Sequence, residues 1–347
     1  MSTVYPSDAG IRPVDPVLSN IVGGLYNQEY LQDIVMPGIV AQVGLLPGMQ
    51  GPVSGTILKH AVDAFYGDPS VNGTVGATED VPFDKGAELT SVAYRAQSYA
   101  RGTLIARDKM RALADLAEGD ALKIKEGYLH RVMSVLRIVR EKDVAALYFN
   151  DSNWQGGAAD ITPAVKWDQP TGNPVGDIQT AFAQVENFMR PNICILGRAA
   201  ANNMRTNDTF LDFLPANMNR NLVNDETLVG ILKNLFGFDM VKIGKSRYNT
   251  SMVPGTLTGA DIWGDRVFVG HVAMNLDGTI GELGNAGIGG ELEAHAASAV
   301  ARVISAPWAV EEYDVPRKRS TALQVEYMED NLEFQNQLGS LILATST

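Results

Sequence analysis

The stretch from about residue 118 to 149 constrains this chain most, because it reads more clearly than any other segment as one long helix. Leu122, Leu129 and Leu136 recur every seven residues, and Val132, Val139 and Ala146 fill intermediate positions, laying an apolar stripe along one face. Lys123, Lys125, Glu126, Arg131, Arg137, Arg140, Glu141 and Lys142 cover the rest, while Glu118 and Asp120 suit the positive end of a helix dipole. About thirty residues at 1.5 Å each give a rod of about 45 Å. The stripe is short for a coiled coil and meets Asp143, so the reading is a single helix lying across a sheet. Gly156 and Gly157 mark the loop that ends it.

The chain has 347 residues, too many for one simple domain, and two or three lobes are expected. Residues 1–35 read as an extended arm, because Pro6, Pro13 and Pro16 break any early helix. An arm of this kind needs a surface to lie on, its own body or a neighbour. Strand-like runs at 38–44 and 56–66 lead into a turn-rich stretch with Gly67, Pro69, Gly73, Gly76 and Pro82, and a return strand is expected over 89–104. Together these make a long hairpin, which is marginally stable alone and gains stability on a partner subunit.

Residues 163–300 read as an α/β lobe. Asn173-Pro174 starts a helix reaching Met189, and Asn224 or Asp225 caps another that runs to Phe236. Further short helices are expected over 198–205 and 209–214, and strands over 192–196, 239–243 and 266–272. Residues 281–290 hold glycine at 281, 284, 287, 289 and 290 and read as a flexible loop. Strands follow over 309–314, 322–330 and 339–344, with Arg317, Lys318 and Arg319 at a turn.

Composition excludes several function classes. The formal charge of −12 argues against a dedicated nucleic-acid binder, which needs clustered lysine and arginine. The single cysteine, Cys194, excludes an intrachain disulfide and cysteine-based zinc, and its place in Asn192–Leu196 reads as buried core. No signal peptide or membrane span is evident, so the expectation is a protein made without an export signal.

His60, His130, His271 and His295 fall in different elements with no zinc-helix spacing, and no calcium loop, nucleophile elbow or phosphate-binding loop occurs. The glycine run at 281–290 lacks dinucleotide-binding spacing. The pairs Glu79-Asp80 and Glu311-Glu312 read as solvated surface, since adjacent side chains on a strand point apart. The expectation is no catalytic residue, no cofactor and no metal.

Order of parts carries more than any motif. An arm, a strand hairpin, a long helix, an α/β lobe and returning C-terminal strands resemble the Hong Kong 97-type (HK97-like) major capsid proteins of tailed bacteriophages. Several stretches are also similar to phage capsid sequences: 136–149 (LRIVREKDVAALYF), 165–168 followed by 174–178, 190–198, and 262–267. The resemblance spans most of residues 36–347 and implies an α+β fold in four regions. These are an N-terminal arm (1–35), an E-loop hairpin (54–104), a P-domain (36–53, 105–162 and 301–347, its spine helix over about 118–149) and an A-domain (163–300).

The family's subunits form pentamers and hexamers of an icosahedral head enclosing double-stranded DNA, without sequence-specific binding. Portal protein, a separate scaffolding protein and decoration proteins are the further partners implied; residues before 36 leave no room for a built-in scaffolding segment, so scaffolding comes from a separate protein or the sequence is a processed form. Some members crosslink through Lys and Asn; Lys59 and Lys85 lie on the hairpin, but no partner Asn or assisting Glu can be matched, so that chemistry is not carried over. Candidate inter-subunit contacts are Phe65, Tyr66, Phe83 and Lys85 on the hairpin and Arg317, Lys318 and Arg319 at the C-terminal turn. An encapsulin-like compartment shell holding an enzyme cargo is the alternative, and an α/β enzyme ranks last for want of a catalytic constellation.

Overall fold

The computed structural model describes residues 17–19, 38–40, 54–62, 89–114, 118–214, 223–251 and, with short breaks, 256–346. In chain order these form β1 (Gly38–Val40), β2 (Ser54–His60), β3 (Leu89–Arg95), β4 (Gln97–Ala106), α1 (Arg107–Ala114) and the long helix α2 (Glu118–Tyr148). The middle of the chain supplies β5 (Asp160–Ile161), α3 (Pro174–Glu186), β6 (Ile193–Gly197), α4 (Arg198–Thr206), α5 (Asp208–Leu211) and α6 (Asp225–Phe236). Then come β7 (Met240–Gly244), β8 (Arg247–Asn249), β9 (Gly259–Asp261), β10 (Val267–Gly270), β11 (Glu282–Ala286) and β12 (Leu292–Ala294). The long strands β13 (Val300–Val315) and β14 (Ser320–Glu333), and the short β15 (Gly339–Ile342), close the chain.

Helix α2 joins two sheets, and its sequence shows why. Leu129, Val132, Met133, Leu136, Arg137, Arg140, Glu141, Val144, Ala145 and Tyr148 are buried, a spacing of three and four residues that keeps to one slowly turning face. Two expected stripe positions fall outside it: Val139 is 36% exposed and Ala146 is exposed. A strict seven-residue repeat drifts about 20° per heptad on a straight helix, so those positions rotate away from the core. The first half of the face packs on an eight-stranded sheet, where Leu129, Val132, Met133 and Leu136 meet Val310, Leu323, Val325 and Tyr327. Its last turns pack on a five-stranded sheet, where Val144, Ala145 and Tyr148 meet Trp154, Ile195, Trp263, Phe268 and Leu341.

The five-stranded sheet runs in the order β5-β15-β10-β6-β7 and is buried on both faces. Alternation along β6 divides its side chains: Ile193 and Ile195 face α2, whereas Cys194 and Leu196 face the core under α3, α4 and α6. Burial raises the Cys194 thiol pKa far above its usual value, and the side chain is an inert core residue. Local signals fix the helices: the Asn173 side chain accepts from the Gly176 N–H before Pro174 opens α3. Asn224 caps α6 in the same way, and Gly237 ends that helix in the left-handed region at φ 69°.

The eight-stranded sheet runs β3-β2-β12-β11-β1-β13-β14-β4. It corrects three expectations. The glycine-rich loop at 281–290 contains a strand, β11, paired in parallel with β1 and antiparallel with β12. Backbone hydrogen bonds on both sides hold it in register, a stabilisation that glycine content conceals. The return strand expected over 89–104 is two strands broken at the buried Ala96: β3 pairs with β2, while β4 pairs with β14 from Gln97↔Glu329 to Ala106↔Ser320. The strand expected at 309–314 is a sixteen-residue element, β13. In addition, β15 lies in the five-stranded sheet between β5 and β10.

Candidate assembly interface

Surfaces available to neighbouring copies follow from how the ribbon β13–β14, the helix α2 and the hairpin β2–β3 are anchored. Arg140 and Glu329, each 2% exposed, tie α2 to the ribbon. The guanidinium donates Nε–H to Glu329 Oε1 at 2.7 Å and bonds Glu329 Oε2 through Nη2. The same guanidinium lies 5.6 Å from the Trp308 ring centre and 5.4 Å from that of Tyr327. Tyr99 of the edge strand β4 stacks on Tyr327 at 5.0 Å and hydrogen-bonds Asp143 of α2. Burial raises the Asp143 carboxyl above its usual range; the Tyr99 hydrogen bond opposes this, Glu329 adds to it, and Lys142 opposes it. Farther along α2, Lys125 Nζ lies 2.7 Å from Glu312 of β13.

One residue later, Glu141 points toward the other lobe. Its Oε1 accepts from Trp263 Nε1 at 2.8 Å and from Ser246 Oγ at 2.6 Å. Consecutive residues thus tie the helix to the ribbon on one side and to the loops at 246 and 263 on the other. Sequence reading placed Arg140 and Glu141 on the solvated side. The available signal was their position, since Arg140 lies four residues after Leu136 and Glu141 three and four before Val144 and Ala145.

The hairpin base is held within its own chain. β2 and β3 pair antiparallel from Ser54↔Arg95 to His60↔Leu89, and β2 also pairs in parallel with β12. Lys59 does not reach outward: its ammonium donates to the Phe334 carbonyl and lies 5.3 Å over the Phe334 ring. Burial lowers its pKa, with Glu333 opposing the shift. The candidate contacts Phe65, Tyr66, Phe83 and Lys85 lie outside the described residues.

The basic triplet forms the turn of the ribbon. Pro316–Lys318 make one 3-10 turn, and Arg319 takes a left-handed conformation at φ 47°. Its carbonyl accepts from the Arg107 N–H at 2.9 Å, fixing the start of α1 beside the tip. The side chains of Arg317, Lys318 and Arg319 are all exposed. In the expected arm, residues 17–19 are a helical turn rather than extended chain. Leu18 is 1% exposed in the core between α2 and the ribbon, and the Val310 N–H donates to Ser19 Oγ at 3.2 Å. This short piece of the arm rests on the body of its own chain.

Apolar side chains do reach solvent. Leu104 on β4 is 44% exposed, and Ile124 and Val139 on the outer side of α2 are 42% and 36% exposed. Among the described residues no group of three or more His, Cys, Asp or Glu side chains could hold a metal ion, and no helix is long and apolar enough to cross a membrane. His271 Nδ1 pairs with the Arg190 carbonyl at 2.9 Å, with its pKa lowered by burial. His295 lies outside the described residues.

No family model matches the chain. Among solved structures, a phage-related protein from Bordetella bronchiseptica RB50 superposes with a TM-score of 0.66, covering 95% of this chain and 97% of the other at 19% identity. A putative capsid protein of an Escherichia coli CFT073 prophage superposes at 0.50, covering 96% and 99% of the two chains at 11% identity. The chain has the Hong Kong 97-type capsid fold. At the level of sequence, it is 21% identical to the major capsid protein of Burkholderia phage BcepMu over 273 residues, 77% of this chain and 79% of that one.

Proposed function

We propose that this chain is a major capsid protein, a non-enzymatic subunit that assembles with identical copies into pentamers and hexamers of an icosahedral shell around double-stranded DNA. One observation carries this reading: the whole architecture superposes on a phage-related protein at a TM-score of 0.66, while an independent sequence match leads to a phage major capsid protein. The mechanism is geometric. Each hairpin lies across the outer face of a neighbour's spine helix, where Ile124 and Val139 offer exposed apolar surface. Individual contacts are modest and act together once rings close.

The working division is an arm over 1–35, a hairpin loop over 54–104, a peripheral domain over 36–53, 105–162 and 301–347, and an axial domain over 163–300. Within it, β15 is contributed by the C-terminal segment to the axial sheet. Phe65, Tyr66, Phe83 and Lys85 are the proposed hairpin contacts, and Arg317, Lys318 and Arg319 the proposed contacts of the ribbon tip. A net charge of −12 suits a wall that encloses DNA without gripping it. Portal, a separate scaffolding protein and decoration proteins are the proposed partners, and the subunit is made in the host cytoplasm and carried in the virion. Electron microscopy of the purified protein tests the proposal: closed shells with five- and six-fold clusters are expected, whereas a strict monomer at high concentration, absent from any particle, would overturn it.

A further inference from the structure

At the carboxyl ends of the parallel strands β6 and β7 the chain builds a cleft of about 200 Å³ lined by Arg198, Asn202, Arg205, Asp225, Ile243 and Lys245. Strand ends of this kind are where open α/β sheets form crevices. Arg198, Asn202 and Arg205 are spaced four and three residues apart, so α4 presents them on one face. Lys245 follows the last residue of β7, and Asp225 opens α6. Glycines end both strands, where there is no room for a side chain. A Cβ on Gly197 would lie 2.2 Å from the Trp263 carbonyl oxygen, and one on Gly244 would lie 2.1 Å from the Trp263 ring.

The charges do not cancel. Asp225 is shared between Arg205 at 2.8 Å and Lys245 at 2.5 Å. Among the described residues Arg198 reaches Asp261, at 3.4 Å, and Asp261 is held more closely by Arg247 at 3.0 Å. Four cations, Arg198, Arg205, Lys245 and Arg247, therefore face two carboxylates, an excess of two positive charges in a chain whose net charge is −12. α4 has no side-chain cap, but the Ala199 N–H already donates to the Gly264 carbonyl, so the side chains carry the attraction rather than the helix end. Arginine forks matched to oxyanions, with a lysine point charge beside them, suit the oxygens of a phosphate group.

From this geometry we infer that the cleft binds a phosphate group, with Arg198 and Lys245 as its principal ligands and Asp225 orienting both Lys245 and Arg205. The site lies in the α/β lobe and does not depend on the shell reading. Free phosphate and a nucleic-acid phosphodiester share this chemistry.

The test uses the full chain, titrated with inorganic phosphate by calorimetry at constant ionic strength set with chloride. The expected result is saturable one-site binding that weakens at least about tenfold in Arg198→Ala and in Lys245→Ala, with Arg198→Lys retaining part of it. Circular dichroism and the thermal midpoint without phosphate establish that each variant folds. A dinucleotide with a single phosphodiester is the second arm: competition assigns the site to nucleic-acid backbone, and no competition assigns it to the free ion. Phosphate that binds no better than chloride, or binding unchanged in both alanine variants, would overturn the inference.

Discussion

Replacing Glu329 by glutamine removes the charge that faces Arg140 and leaves the shape of the site almost unaltered. Both side chains are 2% exposed, so water cannot take over the lost carboxylate. The Arg140 Nε–H to Glu329 Oε1 bond at 2.7 Å and the second bond through Nη2 would lose their charge assistance. Removing one partner of a buried pair costs about 3–5 kcal/mol. The faces of Trp308 and Tyr327, at 5.6 and 5.4 Å, return at most about 2 kcal/mol by cation–π attraction. That attraction also operates in the unaltered protein, so the net expectation for Glu329→Gln is a loss of about 3 kcal/mol or more. Arg140→Met with Glu329→Leu removes both charges together and should fall within about 1 kcal/mol of the starting protein. Urea unfolding of unassembled subunits, followed by tryptophan fluorescence, reads both values. A loss below about 1 kcal/mol in the single variant, or a double variant as unstable as the single, would refute a dry, mutually dependent pair.

Three further outcomes follow from the same structure. Leu136→Ala, at 4% exposure between the helix and the ribbon, should cost about 2–5 kcal/mol in the same unfolding assay. Gly197→Ala should destabilise by about 3 kcal/mol, because its Cβ would meet two carbonyl oxygens at 2.2 and 2.4 Å; a thermal midpoint like that of the parent would contradict it. Asp160 has its pKa raised to about 6, first by burial, then by Asp151, with Arg266 opposing. A raised folded pKa means stability that is full below about pH 4 and lost as pH rises through about 6. Asp160→Asn should therefore stabilise at about pH 8, by less than about 1 kcal/mol for so exposed a group, and change nothing near pH 4. Unfolding midpoints measured across that range check both the sign and the window.

Local signals were legible where one residue decides the outcome. Asn173-Pro174 and Asn224 fixed two helix starts, and the apolar run at 192–196 announced a strand buried on both faces. The long helix was legible as an element, but its buried face was not. The seven-residue pattern drew attention to Val139 and Ala146, whereas the face includes Arg137, Arg140 and Glu141, whose burial depends on partners distant in sequence such as Glu329 and Trp263. The strand β11 stayed hidden because glycines supply no side-chain pattern and its pairing partners come from residues 38–40 and 292–294. The break at Ala96 was equally non-local, since β3 and β4 differ only in which strand they find. The basic turn at 317–319 was read correctly as a turn, but its exposure follows from the register of β13 on β14.

With the described part of the arm seated on its own body, the proposed shell function rests on the hairpin. A particle reconstruction detailed enough to trace residues 61–88 between copies is the decisive measurement. That segment should cross the boundary of its own subunit and cover Ile124 and Val139 of the next. A trace that folds back onto its own helix, or particles that never form, would contradict it.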